Sequence, residues 1–143
     1  MTPNEFRALA LSFPHTEQRE HMQHPDFRVA GKIFATMGYP DKTRAMVKVT
    51  PAEQEMLVQA EPDVFSPVNG AWGRKGCTSV LLKPARKESL RRALAAAWEL
   101  HAPSQVREKL ASRETAKNEL SVRQRTSTTR AVRKGERRRK AAR

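Results

Sequence analysis

The side chains best suited to chemistry in this sequence lie between Asn69 and Gly76, where Trp72, Arg74 and Lys75 are set among Gly70, Gly73 and Gly76. Glycines let a backbone approach a phosphate closely, cations contact it, and an indole stacks on a base or sugar. Read this way the segment is a nucleic-acid-binding wing. The burial habit of tryptophan makes a competing prediction, that Trp72 folds back over the core and leaves only the two cations in water.

Other reactive groups are sparse. Among the histidines, His21 and His24 stand near Asp26, but their spacing fits no helical zinc motif and no second ligand cluster follows. No metal site is expected, and His24 before Pro25 is read as shaping a turn. The single cysteine, Cys77, opens an apolar run and is expected to be a buried small hydrophobe rather than a nucleophile. The chain has no Gly-x-Ser-x-Gly elbow, no phosphate-loop glycine pattern and no His-Glu-x-x-His. Its carboxylates are scattered and fall mostly in first turns of predicted helices, where they serve caps and the dipole. Neither an enzyme nor a cofactor is expected.

Charge points elsewhere. The net charge is +13, and residues 101–143 hold 14 Lys and Arg against 4 Glu, whereas residues 1–100 hold 14 against 11 acidic residues. The tail carries no aromatic residue and few large aliphatics, so burial cannot offset the entropy of ordering it. It is expected to stay largely disordered, with one marginal helix from Gln105 to about Asn118. Its densest cations, Arg133, Lys134, Arg137, Arg138, Arg139 and Lys140, are expected to condense on a polyanion and release counterions. A purely solubilising tail is the competing interpretation. The longest apolar run, Ala93 to Trp98, is far short of the ~20 residues a membrane span needs. With one cysteine and no signal-peptide pattern at the start, a cytoplasmic protein is expected.

The elements that must position these groups are written in the first hundred residues. Thr2-Pro3-Asn4-Glu5 and Thr50-Pro51-Ala52-Glu53 each combine an N-cap, proline at the first helical position and a capping-box glutamate. The first helix is predicted to bury Phe6, Leu9, Ala10 and Phe13, the second Ala52, Met56, Leu57 and Ala60. A third, Lys87 to His101, has Leu90, Leu94, Ala97 and Trp98 on one stripe. Between the first two helices the period is two. Phe27 and Val29 precede an Ala30-Gly31 turn into Lys32–Met37, and Ala45, Val47 and Val49 alternate with Met46 and Lys48. A last strand runs from Cys77 to Lys83. Arg28, Lys32 and Lys48 are predicted to share the outward side of this meander as a positive stripe. Short connections favour an antiparallel sheet with helices packed on one face.

The run from His24 to Ala35 resembles the MmcQ/YjbR family of small bacterial proteins, as do the Lys48-Val49-Thr50-Pro51 helix start and Gly70-Ala71-Trp72-Gly73-Arg74-Lys75-Gly76. The resemblance covers roughly residues 1–103. It implies an α+β two-layer sandwich, similar to secretion-chaperone-like and frataxin-like folds, and a DNA-binding role inferred from a double-wing-like shape. It implies no catalytic residues, and the basic tail at 104–143 departs from it. Together these observations predict an MmcQ/YjbR-like domain at 1–103 that binds nucleic acid, with DNA the expected form. Specificity should be weak, because no helix with base-reading side chains is visible. The alternative is a protein-interaction or chaperone-like adaptor whose basic tail is incidental.

Overall fold

A computed structural model describes residues 1–108 and 111–120. The order of elements is α1 (Pro3–Leu11), β1 (Thr16–His21), β2 (His24–Val29), β3 (Lys32–Met37), β4 (Arg44–Lys48), α2 (Pro51–Ala60), β5 (Phe65–Pro67), α3 (Ala71–Arg74), β6 (Cys77–Leu81) and α4 (Lys87–His101). These form an α+β fold around one six-stranded sheet, ordered β1-β2-β3-β4-β6-β5, with every neighbouring pair antiparallel. Only α2 interrupts a simple meander: it carries the chain past β6 so that β5 becomes the edge.

Local chemistry explains the elements. At α1, Thr2 accepts from the Glu5 backbone N–H while the Glu5 carboxylate accepts from the Thr2 N–H at 2.8 Å, a complete capping box. The start of α2 has half of this arrangement, with Thr50 accepting from the Glu53 N–H at 3.2 Å. Two-residue turns close the first two hairpins. Met22 and Gln23 make one and Ala30 and Gly31 the other, all four at positive φ, which matches the right-handed twist of the flanking strands.

The core lies between one face of the sheet and the helices α1 and α4. Phe27, Val29, Ala45, Val47 and Val80 meet Phe6, Leu90, Leu94 and Trp98, all of them essentially inaccessible. The Phe6 and Phe27 rings meet edge to face with centroids 5.9 Å apart. Phe13 stacks on Trp98 at 6.1 Å, and the buried indole N–H donates to the Pro14 carbonyl at 3.1 Å. A bulge in the β2–β3 ladder leaves Phe34 without an opposite residue, and both Phe34 and Ala35 are buried.

Several sequence expectations are corrected here. The strand β1, Thr-Glu-Gln-Arg-Glu-His, adds a fourth member to the meander. A three-residue β5 and the four-residue α3 occupy what reads as loop. Helix α2 buries Gln54 rather than Ala52, Met56, Leu57 and Ala60, and Met56 is 65% exposed. It lies against the short β5 and the neighbouring β6, where its one buried side chain, Gln54, hydrogen-bonds inward and Leu57 and Val58 are half-buried.

Met1–Val106 forms one compact unit, and a second begins at Arg107. In the second unit residues 107–108 and 111–120 are helical, the Thr115 hydroxyl donates to the Ala111 carbonyl at 2.9 Å, and Leu120 is exposed. The cations Arg133, Lys134, Arg137, Arg138, Arg139 and Lys140 lie outside the described residues. No described helix is long and apolar enough to cross a membrane.

Candidate functional site

The alternation that drives Ala45 and Val47 into the core turns Arg44, Met46 and Lys48 to the opposite face, which α1 and α4 leave uncovered. On that face β4 is flanked by Ile33 and Thr36 from β3 and by Ser79 from β6, all half-buried. These residues floor a depression of about 780 Å³. Tyr39 and Pro40, from the β3–β4 connection, stand at the Arg44 end. Trp72 and Asn69, from the segment before β6, stand at the Lys48 end. The residues lining this depression include Arg44 and Lys48 and no carboxylate.

Trp72 is held outward by its neighbours. A β-carbon at Gly73 would fall 1.6 Å from the Val68 carbonyl oxygen, so this turn of α3 presses glycine against the backbone while the adjacent Trp72 is exposed. At Gly76 the backbone has φ of 109°, and a β-carbon there would fall 1.8 Å from the Val49 oxygen. From α2 the buried Gln54 amide donates to the carbonyls of Gly73 at 3.0 Å and Cys77 at 2.9 Å, clamping both ends of the turn. Thr78 adds a buried hydroxyl donor to the Gly76 carbonyl at 3.0 Å. The segment is thus a fixed platform rather than a free loop.

The indole of Trp72 is 63% exposed, which corrects the expectation that it covers the core. The Lys48 and Lys75 ammonium groups lie 5.6 and 5.8 Å from its ring centroid, within cation–π range. Trp72 and Lys75, expected together on the glycine-rich segment, and Lys48, expected on a strand stripe, therefore form one cluster. Arg74 is exposed on α3 and does not line the depression.

The expected stripe of Arg28, Lys32 and Lys48 does not form as one surface. The Ala30-Gly31 turn pairs Lys32 with the buried Val29, which directs Lys32 to the helix-bearing side at the sheet margin. Arg28 does share the open face, but its guanidinium makes two hydrogen bonds, 2.8 and 3.0 Å, to the inaccessible carboxylate of Asp26. That bond to Asp26 pushes the Arg28 pKa above its ordinary value. Asp26 is thereby committed to a structural pair. Among the described residues no group of three or more His, Cys, Asp or Glu comes together.

Arg44 takes the place in the cluster that the sequence reading gave to Arg28 and Lys32; its Nη1 donates to the Ser79 hydroxyl at 3.4 Å. The signal for it was present, since a strand that buries 45, 47 and 49 must expose 44, 46 and 48 together. Tyr39, 63% exposed with its ring edge-on to His24 at 5.7 Å, had no comparable signal. Cys77 lies opposite Lys48 in the β4–β6 ladder and is buried. Burial pushes its thiol pKa up, against the opposing pull of Lys48 and Lys75.

Comparison with known proteins assigns this architecture. The YjbR family model matches residues 11–100. A crystal structure of a Deinococcus radiodurans protein, DR2400, whose domain is classed as DUF419, superposes with a TM-score of 0.61. The two chains are 22% identical, and the match covers 77% of this chain and 88% of that one. A search of curated proteins finds no match. The chain belongs to the YjbR family.

Proposed function

We propose that this YjbR-family protein binds nucleic acid, with DNA the expected form, chiefly through phosphates and with weak sequence preference. The observation that carries the reading is the exposed Trp72 flanked by Lys48 and Lys75 at the rim of a depression lined by Arg44 and by no carboxylate. Such a surface offers a π-face and positive charge together, the pairing that nucleic acid uses. A cation over an exposed ring contributes about 0.5–1 kcal/mol, whereas a stacked base contributes about 1–3 kcal/mol. An incoming base therefore competes successfully for the ring, and a displaced lysine remains available to the phosphate.

The composition supports the same reading. Residues 101–143 carry a surplus of ten positive charges, a sequence-independent attraction for a polyanion. Among the described residues no base-reading helix faces the depression, which favours weak specificity. The protein is read as a cytoplasmic binding protein rather than an enzyme.

Fluorescence anisotropy of the full chain with labelled duplex DNA and RNA, across a range of salt, tests the proposal. With about six phosphates neutralised, the slope of log affinity against log salt on duplex DNA is expected near −5, from ~0.9 per contact. Failure to bind any of these at low salt sinks the reading. The apolar part of the depression, Ile33, Met46, Pro67 and Val68, favours one second reading, an adaptor that binds a protein segment there. Capture of a protein partner that survives nuclease treatment, with no nucleic acid bound, would support it.

A further inference from the structure

We propose that the open face of the sheet is a stacking site for the splayed bases of a single strand. One base would stack on Trp72, a second on Tyr39, and Arg44 and Lys48 would hold the phosphates between them. This inference rests on the nucleic-acid reading above and names the form of ligand that the domain, as distinct from the tail, selects.

Placement along β4 gives the site its polarity. Arg44 and Lys48 share one face and are four residues apart, so their backbones are separated by about 13 Å along the strand. Tyr39 stands at the first end and Trp72 at the second, each 63% exposed. The order across the floor is thus ring, cation, cation, ring. An aromatic platform needs an exposed base face, which a duplex hides inside its stack and a single strand offers at every nucleotide.

The shape agrees with this. A concave depression of about 780 Å³ has room for splayed nucleotides, whereas a duplex is convex and is read by an element that protrudes into a groove. Its middle is apolar, from Ile33 and Met46, and suits the edge of a base. On the floor Ser79, and beside it Ser66 and Asn69, offer hydrogen bonds without fixing one base identity. The lining carries no carboxylate, and Asp26, opposite Thr36, is inaccessible and paired with Arg28, so a phosphodiester meets little like charge there.

The test separates bases from phosphates. Full-length protein is titrated at moderate salt with a labelled oligothymidylate of about twelve residues, and with an abasic strand of the same length. The wild type is expected to prefer the base-bearing strand by about tenfold, and Trp72 emission should be quenched on binding while buried Trp98 is not. Trp72→Ala is expected to cut that preference to about twofold or less, Trp72→Phe to keep most of it, and Tyr39→Ala to lower it in part. Each variant should retain the wild-type melting midpoint, since both rings are exposed. Equal binding of the two strands by the wild type would overturn the stacking site while leaving phosphate binding intact. A preference that survives Trp72→Ala would equally overturn it. Failure to bind either strand would instead refute the nucleic-acid reading beneath it.

Discussion

Replacing Gln54 with Ala removes the clamp that holds the Trp72 platform. The buried amide donates to the Gly73 and Cys77 carbonyls, and both bonds span about twenty residues of sequence. The magnitude depends on whether those oxygens are left orphaned. They are not, because Gly73 also accepts from the Gly76 N–H at 3.1 Å and Cys77 from the Val68 N–H at 3.0 Å. The loss is therefore two ordinary net hydrogen bonds, about 2 kcal/mol in total, rather than two full desolvation penalties. For a domain of this size that corresponds to a fall in Tm of roughly 8–16 °C. Thermal unfolding followed by circular dichroism measures it, with Gln59→Ala as the control. Gln59 is exposed on the same helix and reaches only Glu55 at 3.4 Å, so its loss should change stability by less than about 0.5 kcal/mol. The same Gln54 variant should bind the base-bearing strand more weakly at temperatures where it is still folded, because Trp72 is no longer fixed. A Gln54→Ala protein that melts within about 3 °C of wild type would refute the claim that this amide organises the turn.

The remaining expectations concern the same framework. Gly76→Ala places a β-carbon against the Val49 oxygen at a backbone φ of 109°, and should cost about 3 kcal/mol or more in denaturant unfolding. Cys77 should react with a thiol reagent far more slowly in the native protein than after unfolding, because burial both blocks it and raises its pKa; fast native labelling would contradict this. The Glu5 carboxyl is held below its ordinary value by the Thr2 N–H, and that of Asp41 by the Thr43 hydroxyl. Both therefore favour the folded state above their ordinary pKa and lose that contribution as pH falls through the depressed values. Tm should decline on acidification below about pH 4, and less steeply in Glu5→Gln and Asp41→Asn. A chain ending at Val106 should melt cooperatively near the wild-type midpoint while losing most of the salt-dependent affinity; loss of its transition would show that the tail supports the fold.

What the sequence reveals follows from how each element earns its stability. Helix α4 is readable to its ends because burial of Leu90, Leu94, Ala97 and Trp98 writes a full helical period. Strand β4 is readable because one face is core. Strand β1 is not, since an edge strand with solvent on both faces needs no apolar alternation, and Thr-Glu-Gln-Arg-Glu-His has none. In α2 the decisive side chain is polar, and no hydrophobic pattern announces Gln54. Trp72 shows the limit of a burial habit: it sits on a four-residue helix pressed against Val68 at Gly73, a contact invisible in the sequence, and is itself exposed. Of the candidate site, Lys48, Trp72 and Lys75 are legible as residues, but their meeting is not, because Lys48 reaches the ring of α3 from strand β4.

A sheet with one face sealed and one open separates two kinds of inheritance along a single strand. At positions 45 and 47 a substitution alters the buried core beneath α4, and the whole domain registers the error. At 44, 46 and 48, which are half-buried on the open face, it alters chiefly the charge and shape of that face. Relatives built on this frame are thus free to change the chemistry of the open face at every second residue of β4, without finding a new way to fold. Their divergence should be concentrated on that period, and a lineage that has lost Arg44 and Lys48 while keeping Ala45 and Val47 would have retained the scaffold and discarded the positive charge of its open face.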